Sequence, residues 1–421
     1  MRVLLLNATD IVGGAARGAY RLHVGLRRIG IEASMLVRHK FGDDEHVYTP
    51  SGGRLGQLVR KISGYIDALP LRLYSLEPGT DWSTQVTPNG FLHQVTRFSP
   101  DIVHLNWIGG TFPIVDIRKV GIPVVWTLPD MWAFTGGCHY DRDCGRYRGS
   151  CGACPQLGSR REQDLSRWIW HLKHRSWDGV PLTVVATSRW LADCARNSSL
   201  LRRQRIELIP YGLDENCFRV IDKLTARQLL HLPDKSQLIL FGADGGTANV
   251  RKGAKHLREA LQLLSGQGWS GNTRLVVFGE SALSGTPDWG FQVYYTGRLH
   301  DDLTLALVYS AADVMVVPST QEAFGQTASE ALACGTPVVA FDATGPRDIV
   351  AHRMNGYLAR PFDAQDLANG IAWVLQDDER RKALSVNARC KAVAEYSLEV
   401  QARRYAALYE DVLTRRAESV N

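Results

Sequence analysis

No run of apolar residues in the 421-residue chain approaches the ~18–20 needed to cross a bilayer, so no transmembrane helix is expected. Low-complexity tracts are absent. With 45% apolar and 22% charged residues the composition is that of an ordinary globular protein, which excludes a disordered chain. The opening residues 1–7, Met-Arg-Val-Leu-Leu-Leu-Asn, hold too short an apolar run for a secretory leader and read better as a first buried strand. A cytoplasmic location is therefore expected, with the inner face of the membrane as a place of peripheral contact. Cysteine is sparse, and Cys194, Cys217, Cys334 and Cys390 are scattered as isolated buried thiols would be. The basic residues form no nucleic-acid reading motif, and no nucleic-acid partner is expected.

The length exceeds what one hydrophobic core usually supports, which points to two domains. Charge divides along the chain. Residues 1–210 carry 27 Lys/Arg against 18 Asp/Glu, and residues 211–421 carry 22 against 25. A basic first half suits an acidic partner such as a phosphate, a diphosphate or an anionic headgroup.

Short apolar runs alternate with amphipathic segments, the signature of parallel α/β sheets. Strands are expected at 3–6, 33–37, 102–105, 124–128 and 182–186, and again at 238–241, 275–278, 293–295, 314–317 and 338–341. The alternation occurs twice, so the fold class is α/β with two doubly wound domains, 1–209 and 210–396. A helical tail at 397–421, with Tyr405, Leu408 and Tyr409 on one face, is expected to cross back to the first domain. Ligands are expected in a central cleft that both domains face. Residues 54–73, among them Arg54, Leu55, Leu58, Arg60, Lys61, Ile62, Tyr65, Ile66, Leu69 and Arg72, form a basic amphipathic stretch. It suits a membrane surface or a core-facing helix; the core-facing helix is preferred.

Residues 318–339 carry the most weight: Pro-Ser-Thr-Gln-Glu-Ala-Phe-Gly-Gln-Thr-Ala-Ser-Glu-Ala-Leu-Ala-Cys-Gly-Thr-Pro-Val-Val. An apolar strand runs into a loop that feeds a helix start at Gly325, where free backbone N–H groups favour an anion. Glu322 lies in the loop and Glu330 within the helix, placed to meet one ligand at two depths. The segment resembles the Glu-x7-Glu signature of retaining family-4 glycosyltransferases with the GT-B fold. The resemblance implies that Glu330 grips the ribose of a nucleotide-sugar donor, and that Glu322 lies beside the transferred sugar. It also implies that the backbone of Phe324, Gly325, Gln326 and Thr327 contacts sugar and diphosphate.

Arg251-Lys252-Gly253 follows a strand and opens a helix, which places two cations for a leaving diphosphate. The family usually has an arginine soon after that strand. Here Phe241-Gly242-Ala243 stands there, and Arg251 is the residue that can supply the charge. Gly13 and Gly14 resemble the family's glycine loop beside the diphosphate.

Residues 126–157 are similar to bacterial exopolysaccharide enzymes of the colanic-acid type, which carry His-Asp where this chain has Pro129-Asp130. Asp130 and His139 are the neighbours able to stand in for the missing imidazole on the donor-sugar or acceptor side. Cys138, Cys144, Cys151 and Cys154 in the same segment suit either a structural zinc or free thiols. Asp141-Arg142-Asp143 mimics a metal-binding Asp-x-Asp but lies inside the cysteine loop, and no metal is expected to be needed for catalysis. These readings converge on a retaining, metal-independent transferase with a glycan or lipid-linked glycan acceptor, acting in bacterial surface polysaccharide synthesis. The alternatives are a sugar-phosphate synthase or epimerase of the same fold, and a protein that binds a nucleotide-sugar without reacting.

Overall fold

Val3 to Leu6 lie almost wholly out of solvent, as expected for a strand covered on both faces, and they form the middle of a parallel sheet. A computed structural model describes residues 1–51, 53–242, 249–281, 288–299 and 301–420, of which the side chains of Arg54, Leu55, Gln57, Ser419 and Val420 lie outside the description. Ala243 of the sequence analysis falls outside the described residues too.

The described residues group into two units. The first holds β1 (Arg2–Thr9), β2 (Glu32–His39), β3 (Val47–Tyr48), β4 (Ile102–Leu105), β5 (Val124–Leu128), β6 (Leu182–Ala186) and β7 (Arg205–Leu208). Their order is β3-β2-β1-β4-β5-β6-β7, every pair parallel. Val3 sits opposite Ala33 on one side and Ile102 on the other, which fixes the register. The second unit holds β8 (Gln237–Gly242), β9 (Thr273–Phe278), β10 (Gln292–Gly297), β11 (Val314–Val317), β12 (Val338–Phe341) and β13 (Gly356–Ala359). It runs β10-β9-β8-β11-β12-β13, again all parallel. In each sheet the winding reverses once, between β1 and β4 and between β8 and β11. Ligands of such sheets bind beyond the carboxyl ends of the strands at that reversal.

The first unit is completed by the far end of the chain. Helix Leu398–Val420 starts in the second unit, and from Gln401 onward it belongs to the first. Tyr405 and Tyr409 are fully buried there. His104 of β4 pairs through Nδ1 with the Tyr409 hydroxyl at 2.5 Å and through Nε2 with the Thr127 hydroxyl at 2.7 Å. The Tyr405 hydroxyl joins Thr127 at 2.6 Å, so four polar groups satisfy one another inside the core.

Helix Gly53–Ala68 departs from expectation. Its apolar stripe does not enter a core: Leu58, Ile62, Tyr65 and, just past its end, Leu69 are all exposed. The face that packs inward is small and polar. Ser63 is buried, and a Cβ on Gly64 would come within 3.3 Å of the Arg38 guanidinium. Arg38 donates to the carbonyl of Arg60 at 2.9 Å, and the Asp67 carboxylate accepts from the N–H groups of Val86 and Thr87 at 3.0 Å each. Polar satisfaction fixes how this helix is turned, and the periodic apolar face is left outside.

Candidate functional site

The end of β11 makes the second unit's site. Beyond Val317 the chain turns through Pro318–Gly325 and enters helix Gln326–Ala333. Gly325 caps that helix at φ 107°, a left-handed conformation that disfavours a side chain, and no side chain caps the helix start. Within the first turn the Ala328 N–H donates to the Gly325 carbonyl at 2.9 Å. Gln326 and Thr327 are half-exposed at this start. Phe324 has a different role from its neighbours: its ring is buried edge-on between Tyr211 and Tyr396, and it anchors the loop.

The neighbouring strand end supplies cations. Arg251 and Lys252 follow β8 in a short 3-10 turn, Val250–Lys252, closed by Gly253 at φ 73°. A Cβ on Gly253 would lie 1.8 Å from the carbonyl oxygen of Pro318, so only glycine lets this turn press against the β11 loop. The Thr320 N–H donates to the Arg251 carbonyl at 2.9 Å, which locks the two loops together.

Across that junction Arg251 donates to Oε2 of Glu322 at 3.2 Å and to the Gln321 carbonyl at 2.8 Å, while Lys252 reaches the same Oε2 at 2.5 Å. The backbone of Glu322 is held from behind: its N–H donates to the Thr344 hydroxyl at 3.3 Å and its carbonyl accepts from Gly345 at 2.9 Å. Burial works against ionisation of Glu322, but the charges of Lys252 and Arg251 and their hydrogen bonds outweigh it and hold its carboxyl below the usual value. Two cations share one carboxylate beside a helix start that no side chain caps. Glu330, in the second turn of that helix, is buried and accepts a hydrogen bond from the Tyr309 hydroxyl at 2.8 Å. Thus Arg251, Lys252 and Glu322 are brought into contact, and Glu330 and the Gly325 loop stand on the same strand-to-helix connection.

A second polar cluster lies at the carboxyl ends of β4 and β5 in the first unit. Pro129 follows β5, and Asp130 and His139 pair through Oδ2 and Nδ1 at 2.7 Å. His139 Nε2 meets the Ser83 hydroxyl at 3.0 Å, and Asp130 Oδ1 accepts from the Trp132 N–H at 2.8 Å. A pocket is lined by Asn106, Gln85, Trp107, Pro129, Asp130 and His139, among others. The buried Asn106 side chain has no hydrogen-bond partner at either polar atom, and neither does Gln85 Oε1. Buried amides are rarely left so. Asn106, Gln85 and Ser83 were not expected from the sequence, because they share no motif. Position beyond β4 was the one available signal for Asn106. Gly13, at φ 92°, is the uncapped start of helix Gly14–Arg28, following β1.

The four clustered cysteines are free thiols. Burial pushes the Cys138 and Cys151 thiols up. Among the described residues no group of three or more His, Cys, Asp or Glu side chains is placed to hold a metal ion. Asp141 serves its own turn, accepting from the Gly145 N–H at 3.0 Å and the Asp143 N–H at 3.3 Å. No described helix is long and apolar enough to cross a membrane.

Two doubly wound parallel sheets, each with a polar cluster beyond the carboxyl ends of its strands, define a protein of the GT-B glycosyltransferase fold. Comparison with known proteins agrees. Residues 223–391 match the profile of the glycosyl transferases group 1, and residues 13–212 match that of the glycosyl transferase 4-like domain. A D-inositol 3-phosphate glycosyltransferase from Thermobispora bispora is 31% identical over 354 residues, 78% of this chain and 75% of that one. Relatives of the same name from Stackebrandtia nassauensis and Xylanimonas cellulosilytica are matched over 51% and 46% of their own length, about half. Among solved structures, sucrose-phosphate synthase from Thermosynechococcus elongatus superposes with a TM-score of 0.68 at 20% identity, over 99% of this chain and 100% of that one. Anabaena HepE in complex with UDP-glucose gives 0.62 at 19% identity, over 98% and 100%. The chain belongs to the group 1 glycosyltransferase family.

Proposed function

We propose that the protein transfers a sugar, with retention and without a catalytic metal, from a nucleotide-sugar donor held by the second unit. The observation that carries this is the convergence of Arg251 and Lys252 on Glu322 beside the uncapped start of helix Gln326–Ala333. A bound diphosphate would meet the two cations together with the positive end of that helix's dipole. Glu330 would accept hydrogen bonds from the ribose hydroxyls, and the half-exposed Gln326 and Thr327 would face the diphosphate. An acceptor hydroxyl attacks the anomeric carbon on the face from which the diphosphate leaves. The bond between that carbon and the diphosphate oxygen breaks, and the acceptor's proton passes to a diphosphate oxygen. Arg251 and Lys252 stabilise the charge that develops on the leaving group. HepE, which has this fold, was solved with UDP-glucose, and a uridine donor is the first to try.

In the first unit, the pocket at Asn106 and Gln85 suits a ligand rich in hydroxyls, and His139, oriented by Asp130, offers the imidazole that Pro129 cannot. A glycan or lipid-linked glycan of a bacterial surface polysaccharide is the acceptor the sequence resemblance favours. The name borne by the matched relatives favours a second reading, a polyol phosphate acceptor. Calorimetry with a panel of nucleoside diphosphates and their sugars, followed by NMR of the transferred linkage, tests the proposal. Binding of a nucleoside diphosphate, turnover in EDTA and a retained anomeric configuration are expected. Inversion, or loss of turnover in EDTA that added divalent metal restores, would overturn the mechanism.

A further inference from the structure

The outward stripe of helix Gly53–Ala68 has no counterpart in the transfer chemistry. Leu58, Ile62 and Tyr65 of this helix, and Leu69 at the start of the 3-10 turn Leu69–Leu73 that follows it, recur at i, i+4, i+7 and i+11, with Val59 and Ile66 beside them, the spacing of a single helical face. All six are exposed, Leu58 at 53% and Tyr65 at 55%. Scattered exposed apolar residues need no explanation, but a continuous stripe of six does. The helix is also held by its opposite, polar face, through Arg38 and Asp67, so rotation to bury the stripe would break satisfied hydrogen bonds.

Charge identifies the occupant. Asp67 is the sole acidic residue in 53–73, and its carboxylate is turned inward onto Val86 and Thr87. The outward side carries Lys61 and Arg72, both exposed, and the Arg72 guanidinium lies 5.1 Å from the centre of the Tyr65 ring. An aliphatic stripe bordered by a tyrosine and by cations alone matches the boundary between anionic headgroups and acyl chains. A second copy of this chain would bring the same cations against each other.

We infer that this helix is a peripheral docking surface for an anionic lipid bilayer. Apolar side chains enter the acyl boundary while Lys61 and Arg72 meet headgroup phosphates. Docking needs neither donor nor acceptor, so its test stands apart from that of the transfer chemistry.

The full chain should co-sediment with vesicles of phosphatidylcholine mixed with phosphatidylglycerol, and weakly with phosphatidylcholine alone. Lys61→Gln with Arg72→Gln should weaken binding to the mixed vesicles about 30-fold, from about a fivefold contribution per cation. Ile62→Asp with Ile66→Asp should abolish binding to both. These side chains are exposed, so an unchanged Tm in each variant shows that folding is intact. Failure to bind mixed vesicles, equal binding to neutral ones, or wild-type binding by the aspartate variant would overturn the inference. So would a dimer in sedimentation velocity that the aspartate variant dissociates, because a second copy would then cover the stripe.

Discussion

The hydroxyl of Tyr309 donates to Oε2 of Glu330 at 2.8 Å, with both side chains buried. Tyr309 comes from helix Asp302–Ala311 and Glu330 from helix Gln326–Ala333, so one helix sets the rotamer of a carboxylate on another. If Glu330 holds the ribose, Tyr309 is its positioning residue. Tyr309→Phe should raise the Kd for a nucleoside diphosphate about fivefold, the loss of one hydrogen bond to a charged group. Glu330→Ala should raise it more, and calorimetry separates the two. A tighter-binding or unchanged Glu330→Ala variant would remove Glu330 from the site.

Arg251→Ala and Lys252→Ala should each lower kcat on the order of 10²-fold, the scale of losing one prearranged donor to developing charge. The donor KM should change less, because the interaction strengthens as the diphosphate leaves. Single-turnover kinetics check this; near-wild-type rates in both variants would refute the assignment.

Asn106→Leu offers a test in which stability and activity move apart. A buried amide with two unpartnered polar atoms costs on the order of 1–3 kcal/mol, so the leucine variant should hold or gain stability in urea unfolding. Its acceptor KM should rise if the pocket binds acceptor hydroxyls. His139→Ala should lower turnover with the acceptor while leaving nucleotide binding at the second unit unchanged. Full acceptor activity in both variants would leave that pocket without a role.

Burial pulls the His104 pKa down to about 3, against about 6.5 for an unperturbed histidine. Between those values the unfolded chain binds a proton that the folded chain does not. Stability should therefore fall as pH drops from about 6.5 toward about 3, by at most about 1.4 kcal/mol per pH unit from this group, with no contribution to the slope above about 6.5. Burial lowers His23 to about 4, and it adds to the same slope. Urea midpoints measured across this range should show a shallower decline for His104→Gln than for the parent. An equally steep decline would show that His104 is not the group responsible.

The interior strands were legible because they are buried on both faces and so are mostly apolar runs, broken at most by one polar residue such as His104, Thr127 or Thr183: β1, β4, β5, β6, β11 and β12 all announce themselves. Of the edge strands, β10 was expected at 293–295, but β3, β7 and β13 were not. β7 reads Arg-Ile-Glu-Leu, with Arg205 and Glu207 facing each other in an ion pair that an inner strand could not hold, and β3 spans two residues. β13, also at an edge, opens on Gly356, which leaves a three-residue run too short to read as a strand. The loop of Glu322 and the Arg251-Lys252 turn could be read because each is contiguous in sequence. The first unit's pocket could not, since Ser83, Asn106 and His139 meet only through folding. For helix Gly53–Ala68 periodicity revealed the stripe correctly but carried no information on which way it turns. That was decided by Gly64, Ser63 and Asp67 on the other face.

Because Tyr405 and Tyr409 plug the core around His104, the half of the protein that emerges first from the ribosome is finished last. Its sheet must wait, with that core unsealed, while nearly two hundred further residues, 211–400, are synthesised. The second unit is continuous in sequence and can close on its own schedule. Translation order and folding order are thereby reversed for the first unit, and a nascent chain stalled before Gln401 would present an open β4–β5 surface to chaperones.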